Sequence, residues 1–319
     1  MLLPGSLILD WAGPAEAFRI ANQVLEANRQ PARFQLRYVG PQASPATSVG
    51  IRVAQVEPLP DRLPANSWVV LVGMPGSHIE LQSDGTPETV AWLRRFTPGQ
   101  EGRRLVTICA GALLAAHAGL LRGRRATTHH QHLDELRSVA AGCEVVANRV
   151  FVLDEPVASS AGITTGIDLA LHLIAQECGA ALASQVAQTM VVALRRGPQD
   201  PELSPFLSYR NHMHLALHRV QDAVSAEPQR DWNVPRMAEV AHTSPRHLTR
   251  LFLDHAGTAP LAYLRRIRLA VAQAALQSGR NVAQAAELAG FSSDTQLRRT
   301  WRQFGVSGRP SDAGLLQNP

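Results

Sequence analysis

The stretch Leu105–Ala112, which reads LVTICAGA, carries the pattern that decides the fold of the first part of the chain. A short apolar run ends at Cys109, and small residues then begin a helical pattern over Ala110–Ala118. A strand that turns sharply into a helix at a cysteine is typical of a nucleophile elbow. The helix dipole at such a turn can lower the pKa of the thiol, although buried packing is the more common role of a single cysteine.

Similar short apolar runs alternate with helical patterns on both sides of this stretch. We expect strands at Leu7–Leu9, Phe34–Val39, Trp68–Val72, Leu105–Ile108 and Val150–Leu153. We expect helices at Pro14–Ala27, Pro87–Phe96, Ala110–Ala118 and Gly166–Glu177. Alternation of this kind predicts an α/β domain in which a mostly parallel sheet is sandwiched by helices.

The chain has 319 residues, which is long for one domain and sufficient for two. A stretch rich in proline and polar residues at 196–206 breaks both helix and sheet patterns and predicts a linker. Beyond it no convincing strand occurs, and apolar residues such as Met213, Leu217, Val220 and Val224 follow a helical period. We therefore expect an α/β domain at 1–195 and an all-α domain at 207–319.

The positive charge is concentrated in the second of these domains. All 31 basic residues are arginines, and residues 207–319 contain 14 of them against 8 acidic residues. Residues 1–206 are nearly balanced, with 17 arginines and 18 acidic residues. Since arginine pairs well with phosphate and with guanine edges, we expect a polyanionic partner for the C-terminal domain.

Two segments of the C-terminal domain resemble each other. Ala238-Glu239-Val240-Ala241 recurs as Ala286-Glu287-Leu288-Ala289, and each copy is followed by a tight turn and a longer helical pattern. Ser244 is expected to cap the first longer helix and Ser292 the second. Each longer helix buries an apolar face, with Leu248, Leu251 and Phe252 in the first and Leu297, Trp301 and Phe304 in the second. Arginines occupy the other face, which is what a recognition helix requires. Two such units, joined by a helix at about Pro260–Leu276, predict a pair of helix-turn-helix motifs rather than plain helical hairpins.

The segment from about Trp232 to Gly308 resembles the DNA-binding domain of the AraC family. The resemblance rests on Met237-Ala238-x-x-Ala241, Ser244-Pro245-Arg246-His247-Leu248-x-Arg250-Leu251-Phe252, Gly257-x-x-Pro260-x-x-Tyr263-Leu264 and Val282-x-x-Ala285-Ala286-x-x-Ala289-Gly290-Phe291-Ser292. It implies binding of double-stranded DNA through two successive major grooves. The base-contacting candidates that it implies are Arg246, Thr249, Arg250, Asp294, Thr295, Arg298 and Arg299. Asp294 is equally compatible with accepting from cytosine and with capping its own helix, and any of the arginines could contact phosphate instead.

Residues 7–190 resemble the ThiJ/PfpI fold, which is class I glutamine amidotransferase-like, in the version found in GlxA-type AraC-family regulators. The motifs are Leu9-Asp10-x-x-Gly13-Pro14-x-Glu16-x-Phe18, Gly73-x-Pro75-Gly76, Cys109-x-Gly111-Ala112, Ala126-Thr127-Thr128-His129 and Ser160-Ala161-Gly162-Ile163-Thr164-x-Gly166. The resemblance implies a small-molecule effector, amino-acid-like, amine or quaternary ammonium in nature. It also implies a homodimer and, usually, transcription activation, for which RNA polymerase is a further partner. The ligand-pocket candidates are Asp10, Glu16, Gly76, Cys109, Ala110, His129 and Ser160.

Three functions remain open for the N-terminal domain. Peptidase-like members of the wider superfamily place histidine directly after the nucleophilic cysteine, and here that position is Ala110. We therefore favour a binding pocket without catalysis over a cysteine-dependent amidase or peptidase with an accessory DNA-binding domain. Redox sensing through Cys109 is the third possibility, for which no resolving cysteine can be identified.

The remaining expectations concern the environment of the protein. Three cysteines without metal-ligand spacing fit a reducing compartment, and we expect neither a metal nor a cofactor. No run of about 20 apolar residues occurs, and Met1–Gly5 lacks the basic region of a secretory signal. We therefore expect a cytoplasmic protein that does not bind a membrane.

Overall fold

The protein divides into two compact units, Met1–Glu202 and Leu203–Pro319. The computed structural model describes residues 1–76, 78–192, 196–198, 202, 205–210, 212–306 and 309–311, apart from the side chains of Phe206, Leu207 and Gln277. Residues 193–195, 199–201 and 203–204, at the end of the expected α/β domain and in the expected linker, therefore lie outside the described residues. Each unit is described by itself below.

The first unit is built on a four-stranded sheet and a two-stranded sheet. The strands are β1 (Trp68–Leu71), β2 (Arg104–Ile108), β3 (Arg125–Ala126), β4 (Glu144–Val145), β5 (Phe151–Asp154) and β6 (Val157–Ser160). The larger sheet has the order β1-β2-β6-β5, in which β1, β2 and β6 are parallel and β5 is antiparallel to β6. The smaller sheet pairs β3 with β4 in parallel. The expected α/β architecture with a mostly parallel sheet is confirmed.

Helices cover both faces of the larger sheet. They are α1 (Ile8–Ala27), α2 (Thr86–Leu93), α3 (Gly111–His117), α4 (Leu133–Val139), α5 (Thr165–Cys178) and α6 (Ala180–Thr189). Because side chains alternate along a strand, Val69 and Leu105 join the core that contains α2 and α3. Val106 joins the opposite core, which contains Leu169 and Leu173 of α5. Helices α1, α5 and α6 share a further apolar cluster.

The expected strand at Leu7–Leu9 is wrong, because this segment enters helix α1. The Leu7 N–H donates to the carbonyl of Gly73 at 3.0 Å, and the helix begins at the next residue, six positions before the expected start. The extended segment nearby is instead the one that precedes it, where the Leu2 N–H donates to the carbonyl of Val39 at 2.8 Å. A short apolar run is compatible with either element, and its length alone could not decide between them.

The expected strand at Phe34–Val39 is also absent, and only an isolated bridge joins Val39 to Glu57. The reason lies in Asn22 of α1. Its side-chain oxygen accepts from the N–H of Phe34 at 3.0 Å, and its amide donates to the Phe34 carbonyl at 2.6 Å. At the start of the segment, this side chain therefore satisfies the backbone of Phe34 in place of a neighbouring strand.

The second unit contains helices and no strand within its described residues. Its helices are α7 (Pro205–Ser208), α8 (Leu215–Ala226), α9 (Val234–Val240), α10 (Pro245–Ala256), α11 (Pro260–Gln277), α12 (Val282–Leu288) and α13 (Asp294–Gln303). Two cores lie along the long helix α11: its first half packs with α8, α9 and α10, and its second half packs with α12 and α13. Met213, the first residue of the expected helical period, instead precedes α8 and is 93% exposed.

Candidate nucleic-acid interface and candidate ligand site

Helix α10 has the local structure of a recognition helix. Ser244 is its N-cap and accepts from the N–H of His247 at 3.3 Å, with Pro245 at the first helical position. Leu248 and Phe252 are fully buried. The cap therefore fixes where the helix begins, and the buried face fixes which side chains point outward.

The three candidates of α10 lie on the other face. Arg246 and Arg250 are exposed and Thr249 is half-buried. Arg250 lies with a guanidinium nitrogen 2.9 Å from Nδ1 of His247, and the Thr249 hydroxyl donates to the Pro245 carbonyl at 2.9 Å. In the part of the chain that the structure describes, Arg246 makes no ion pair, so its guanidinium is available to an external acceptor.

Helix α13 repeats this arrangement, with one correction to its start. Ser293, not Ser292, is the N-cap, and its hydroxyl accepts from the N–H of Gln296 at 3.2 Å. Ser292 instead donates its N–H to the side-chain oxygen of Gln296 at 2.8 Å. Two adjacent serines are both good caps by composition, and the sequence could not show which one has the required backbone geometry.

The candidates of α13 form a charged, exposed start to the helix. Asp294 and Thr295 are exposed, and Asp294 pairs with Arg298 at 3.7 Å. Since Ser293 supplies the cap, the carboxylate of Asp294 is not needed for that role. Arg299 is exposed, while Leu297 and Trp301 are buried beneath it; Phe304, expected beside them, is half-buried at the helix end.

In the first unit, Cys109 forms a strained turn between β2 and α3. Its φ is +55°, a conformation that is rare for residues other than glycine, and its N–H donates to the carbonyl of Ser160 at 3.1 Å. A Cβ added at Gly162 would lie 2.7 Å from the sulfur, and one added at Gly73 would lie 2.9 Å from Cβ of Cys109. The expected elbow is therefore present, and two glycines make room for it.

The carboxylate beside this thiol is that of Asp10. One of its oxygens accepts from the N–H of Gly73 at 2.9 Å and the other from the N–H of Ile163 at 3.0 Å. The side chain is fully buried and also hydrogen-bonds to the thiol of Cys109. Burial raises the pKa of Asp10, and the hydrogen bonds from the two backbone N–H groups oppose that shift.

The electrostatics of the elbow do not favour a thiolate. Burial raises the pKa of Cys109 to about 12, and the negative charge of Asp10 contributes in the same direction. A hydrogen bond from the N–H of Ala110 lowers it, but by less. The expectation that the helix terminus lowers this pKa is therefore wrong: desolvation and a neighbouring carboxylate outweigh it.

The other pocket candidates lie at different distances from the thiol. Ala110 and Ser160 are buried next to it, and Gly76 is exposed. The Ser160 hydroxyl has no hydrogen-bond partner among the described residues. The side chain of Glu16 is 54% exposed and pairs with Arg19, so the structure brings Asp10 to the thiol and not Glu16.

His129 belongs to a group of histidines beside the elbow. Its ring lies 4.2 Å from that of His130 and 6.3 Å from that of His132, measured between centroids. Burial, followed by the charges of these two neighbours, lowers the pKa of His129 to about 4, so its imidazole is neutral at pH 7. Within the described residues no hydrogen bond joins it to Cys109; the neighbouring Thr128 donates to the carbonyl of Cys109 at 2.8 Å.

Sequence reasoning missed the polar contacts of the segment that leads to the second unit. The Arg196 guanidinium binds Asp168 at 2.6 Å and Thr164 at 3.0 Å. Further along, Glu202 accepts from the N–H of His130 at 3.0 Å, and its charge also raises the pKa of Cys109. A stretch rich in proline and polar residues indicates a linker, and nothing in its composition reveals contacts with loops far away in the sequence.

Among the described residues, no helix is both long and apolar enough to cross a membrane.

Known proteins show the same pairing of domains. Residues 13–176 match the DJ-1/PfpI family and residues 237–307 match a helix-turn-helix domain. The chain is 29% identical over 326 residues to the HTH-type transcriptional regulator CdhR of Pseudomonas aeruginosa, with 99% of this chain and 91% of that protein covered. It is 26% identical over 317 residues to the HTH-type transcriptional regulator GbdR of the same species, with 98% and 83% covered. It is 32% identical over 213 residues to the HTH-type transcriptional regulator GlxA of Rhizobium meliloti, with 66% and 65% covered. The chain therefore belongs to the DJ-1/PfpI family and combines that domain with an AraC-type helix-turn-helix domain, as a DNA-binding transcription regulator.

Proposed function

We propose that a small metabolite bound beside Cys109 controls the DNA binding of this regulator, and that the first unit senses this metabolite without catalysis. The observation that carries the proposal is the state of the elbow, where a buried thiol with a pKa of about 12 hydrogen-bonds to the carboxylate of Asp10. The fold that would hold a nucleophile is retained, and the thiolate that such chemistry needs is not formed near pH 7.

The missing general base supports the same conclusion. A cysteine nucleophile requires a base within hydrogen-bond reach of its sulfur. The position after Cys109 is Ala110, and within the described residues His129 has no hydrogen bond to the thiol. The side chain that hydrogen-bonds to the thiol is that of Asp10, which the N–H groups of Gly73 and Ile163 already hold in place.

The negative charge beside the thiol favours a cationic effector. The charge of Asp10 raises the pKa of Cys109, so this carboxylate places negative potential at the site. The hydroxyl of Ser160, which has no hydrogen-bond partner among the described residues, offers a hydrogen bond beside it. A small amine, an amino-acid-like compound or a quaternary ammonium compound matches this combination of negative charge and one polar contact.

Such a ligand can change DNA binding only if it binds one conformation of the protein more tightly than another. A ligand with equal affinity for both conformations would leave their equilibrium, and hence the DNA affinity, unchanged. We propose that the first unit also forms the homodimer that places two DNA-binding units on one operator. On this proposal the regulator activates transcription through a contact with RNA polymerase.

The test uses the full-length protein and DNA fragments selected from a random pool. We expect the protein to retain one DNA sequence in the presence of bulk competitor DNA. Among a panel of nitrogenous metabolites, one should change the affinity of the protein for that sequence and raise the Tm of the protein by linkage. Cys109→Ser should keep the regulated binding. No sequence preference with or without metabolites would refute the proposal.

The alternative is a cysteine-dependent hydrolase with an accessory DNA-binding unit, and the strained turn at Cys109 is the observation in its favour. Turnover of model amides by the wild-type protein, abolished in Cys109→Ala, would establish that alternative. Regulated DNA binding by Cys109→Ser together with no turnover would exclude it. Unchanged operator affinity after mild peroxide treatment would dismiss redox sensing through this thiol.

A further inference from the structure

The carboxylate of Glu202 lies against two histidines of the loop that follows β3. Its side chain is only 6% exposed, and one of its oxygens lies 2.9 Å from Nδ1 of His130. The ring of His129 lies 4.2 Å from that of His130. One ligand atom from each of His129, His130 and Glu202 can be chosen so that all three lie within 4.8 Å of one another.

A carboxylate so far removed from water needs a compensating positive charge. Arg196, the arginine nearest to Glu202 in the chain, binds Asp168 instead. Within the described residues, the partners of Glu202 are the backbone N–H and the imidazole of His130, and no arginine forms an ion pair with it. A divalent cation shared by the carboxylate and the two imidazoles would supply the missing charge.

We propose that His129, His130 and Glu202 bind a divalent transition-metal ion of the zinc class, contrary to the sequence expectation of no metal. Two imidazole nitrogens and one carboxylate oxygen are a donor set that zinc accepts, and the fourth position then remains for water or a small ligand. His130 is 38% exposed, which gives the ion a path from solvent.

The geometry requires small side-chain rotations. Zinc bonds of about 2.0–2.2 Å place tetrahedral ligand atoms roughly 3.4 Å apart. The three ligand atoms lie within 4.8 Å of one another, so the most distant pair has to approach by at most about 1.4 Å. Rotation about the side-chain bonds of a partly exposed imidazole covers that distance without movement of the backbone.

The site joins the elbow to the segment that leads into the second unit. His129 directly follows Thr128, whose hydroxyl binds the carbonyl of Cys109, and Glu202 is the last residue of the first unit. A bound ion would hold this end of the first unit against the loop beside Cys109. Any effect on operator affinity rests on the proposed function, whereas the metal site itself does not.

The experiment uses the full-length chain without a histidine tag, stripped of metal with a chelator and titrated with Zn²⁺. We expect one zinc per chain by elemental analysis and a rise in Tm with zinc. Replacing a residue that only hydrogen-bonds to a metal ligand lowers metal affinity by about 10–100-fold. Glu202→Gln and His129→Gln replace direct ligands, so each should weaken zinc binding by about 100-fold or more. Titration with Co²⁺ should give a visible absorption spectrum that either change alters.

The matched control is a histidine group of the second unit. In the second unit the rings of His214 and His255 lie 5.0 Å apart. His214→Gln combined with His255→Gln should leave the zinc affinity within about threefold, a change of under 1 kcal/mol. Circular dichroism checks that each variant is folded; where Glu202→Gln is not, the result for His129→Gln decides.

The proposal is overturned if the wild-type chain binds no zinc. It is equally overturned if both ligand changes leave the zinc affinity intact, or if the control change abolishes binding. Because none of these measurements uses DNA, their failure is separate from any failure of the proposed regulation.

Discussion

Replacement of Asp10 by alanine tests whether this residue, rather than Glu16, organises the elbow. The carboxylate accepts from the N–H of Gly73 at 2.9 Å and from the N–H of Ile163 at 3.0 Å. The first hydrogen bond is buried and the second is partly buried. Alanine leaves both N–H groups without an acceptor. A buried donor left unpaired costs about 1–3 kcal/mol, so two such donors would give about 2–6 kcal/mol. Because Ile163 is 40% exposed, its N–H contributes toward the low end of that range.

One effect offsets part of that loss. Burial raises the pKa of Asp10, so the folded protein binds its proton more tightly than the unfolded chain does. Stability from this group therefore falls as pH rises above its ordinary pKa, and at pH 7 its removal relieves some desolvation cost. We expect Asp10→Ala to reduce the free energy of unfolding by about 2–4 kcal/mol, the lower part of the range that two unpaired donors give. Asp10→Asn keeps one acceptor oxygen and should lose about half as much.

Urea unfolding of the full-length protein at pH 7, followed by tryptophan fluorescence, measures these changes. Glu16→Ala is the matched control, because Glu16 lies on the same helix and forms only an exposed ion pair with Arg19. Its removal should cost less than about 1 kcal/mol. A loss below about 0.5 kcal/mol for Asp10→Ala, or an equal loss for the two variants, would show that our account of the elbow is wrong.

Three further predictions address the other sites. Arg250→Ala and Arg299→Ala should each weaken operator binding by about 1–3 kcal/mol in gel-shift titrations and relax the preference at single base positions; equal losses on all sequences would identify them as phosphate contacts. Because its pKa is raised from 9.0 to about 12, little of the Cys109 thiol is ionised at pH 8 in the folded protein. Cys109 should therefore react with iodoacetamide at least about 100-fold more slowly in the folded protein than in guanidinium. Equal rates would contradict the protonated thiol. Ser293→Ala should cost about 0.5–2 kcal/mol of stability as the loss of an N-cap, while Ser292→Ala should cost less, and the reverse order would contradict the assigned cap.

The second unit could be predicted well from the sequence because its signals are local. Ser244 and Pro245 mark the start of α10 within two residues, and Leu248 and Phe252 repeat at helical spacing on its buried face. The same turn and face recur in α13. The choice between two adjacent serines failed, because that choice depends on backbone angles rather than on residue type.

The elbow region was predicted less completely because its contacts are long-range. Asp10 was among the candidates, but its two backbone partners lie 63 and 153 residues away along the chain. No local pattern shows that Leu7 would cap a helix rather than pair in a sheet. The contact of Glu202 with His130 spans 72 residues, and a single sequence without its fold cannot reveal it.

The strained turn at Cys109 and the raised pKa of its thiol have one common physical explanation. Three parallel strands end here: Gly73 follows β1, Cys109 follows β2, and Ile163 lies just beyond the end of β6. A crevice at the carboxyl ends of such strands is where α/β folds bind ligands, whether or not a reaction follows. In an enzyme the thiol would need an external base and a lowered pKa. In this chain Asp10 instead accepts hydrogen bonds from the N–H groups of Gly73 and Ile163 and hydrogen-bonds to the thiol of Cys109. These contacts link the ends of the three strands, and the raised pKa keeps the thiol protonated. The strained turn at Cys109 then helps to position the loops that follow these three strands. A ligand that contacts the loops would therefore shift the positions of all three together.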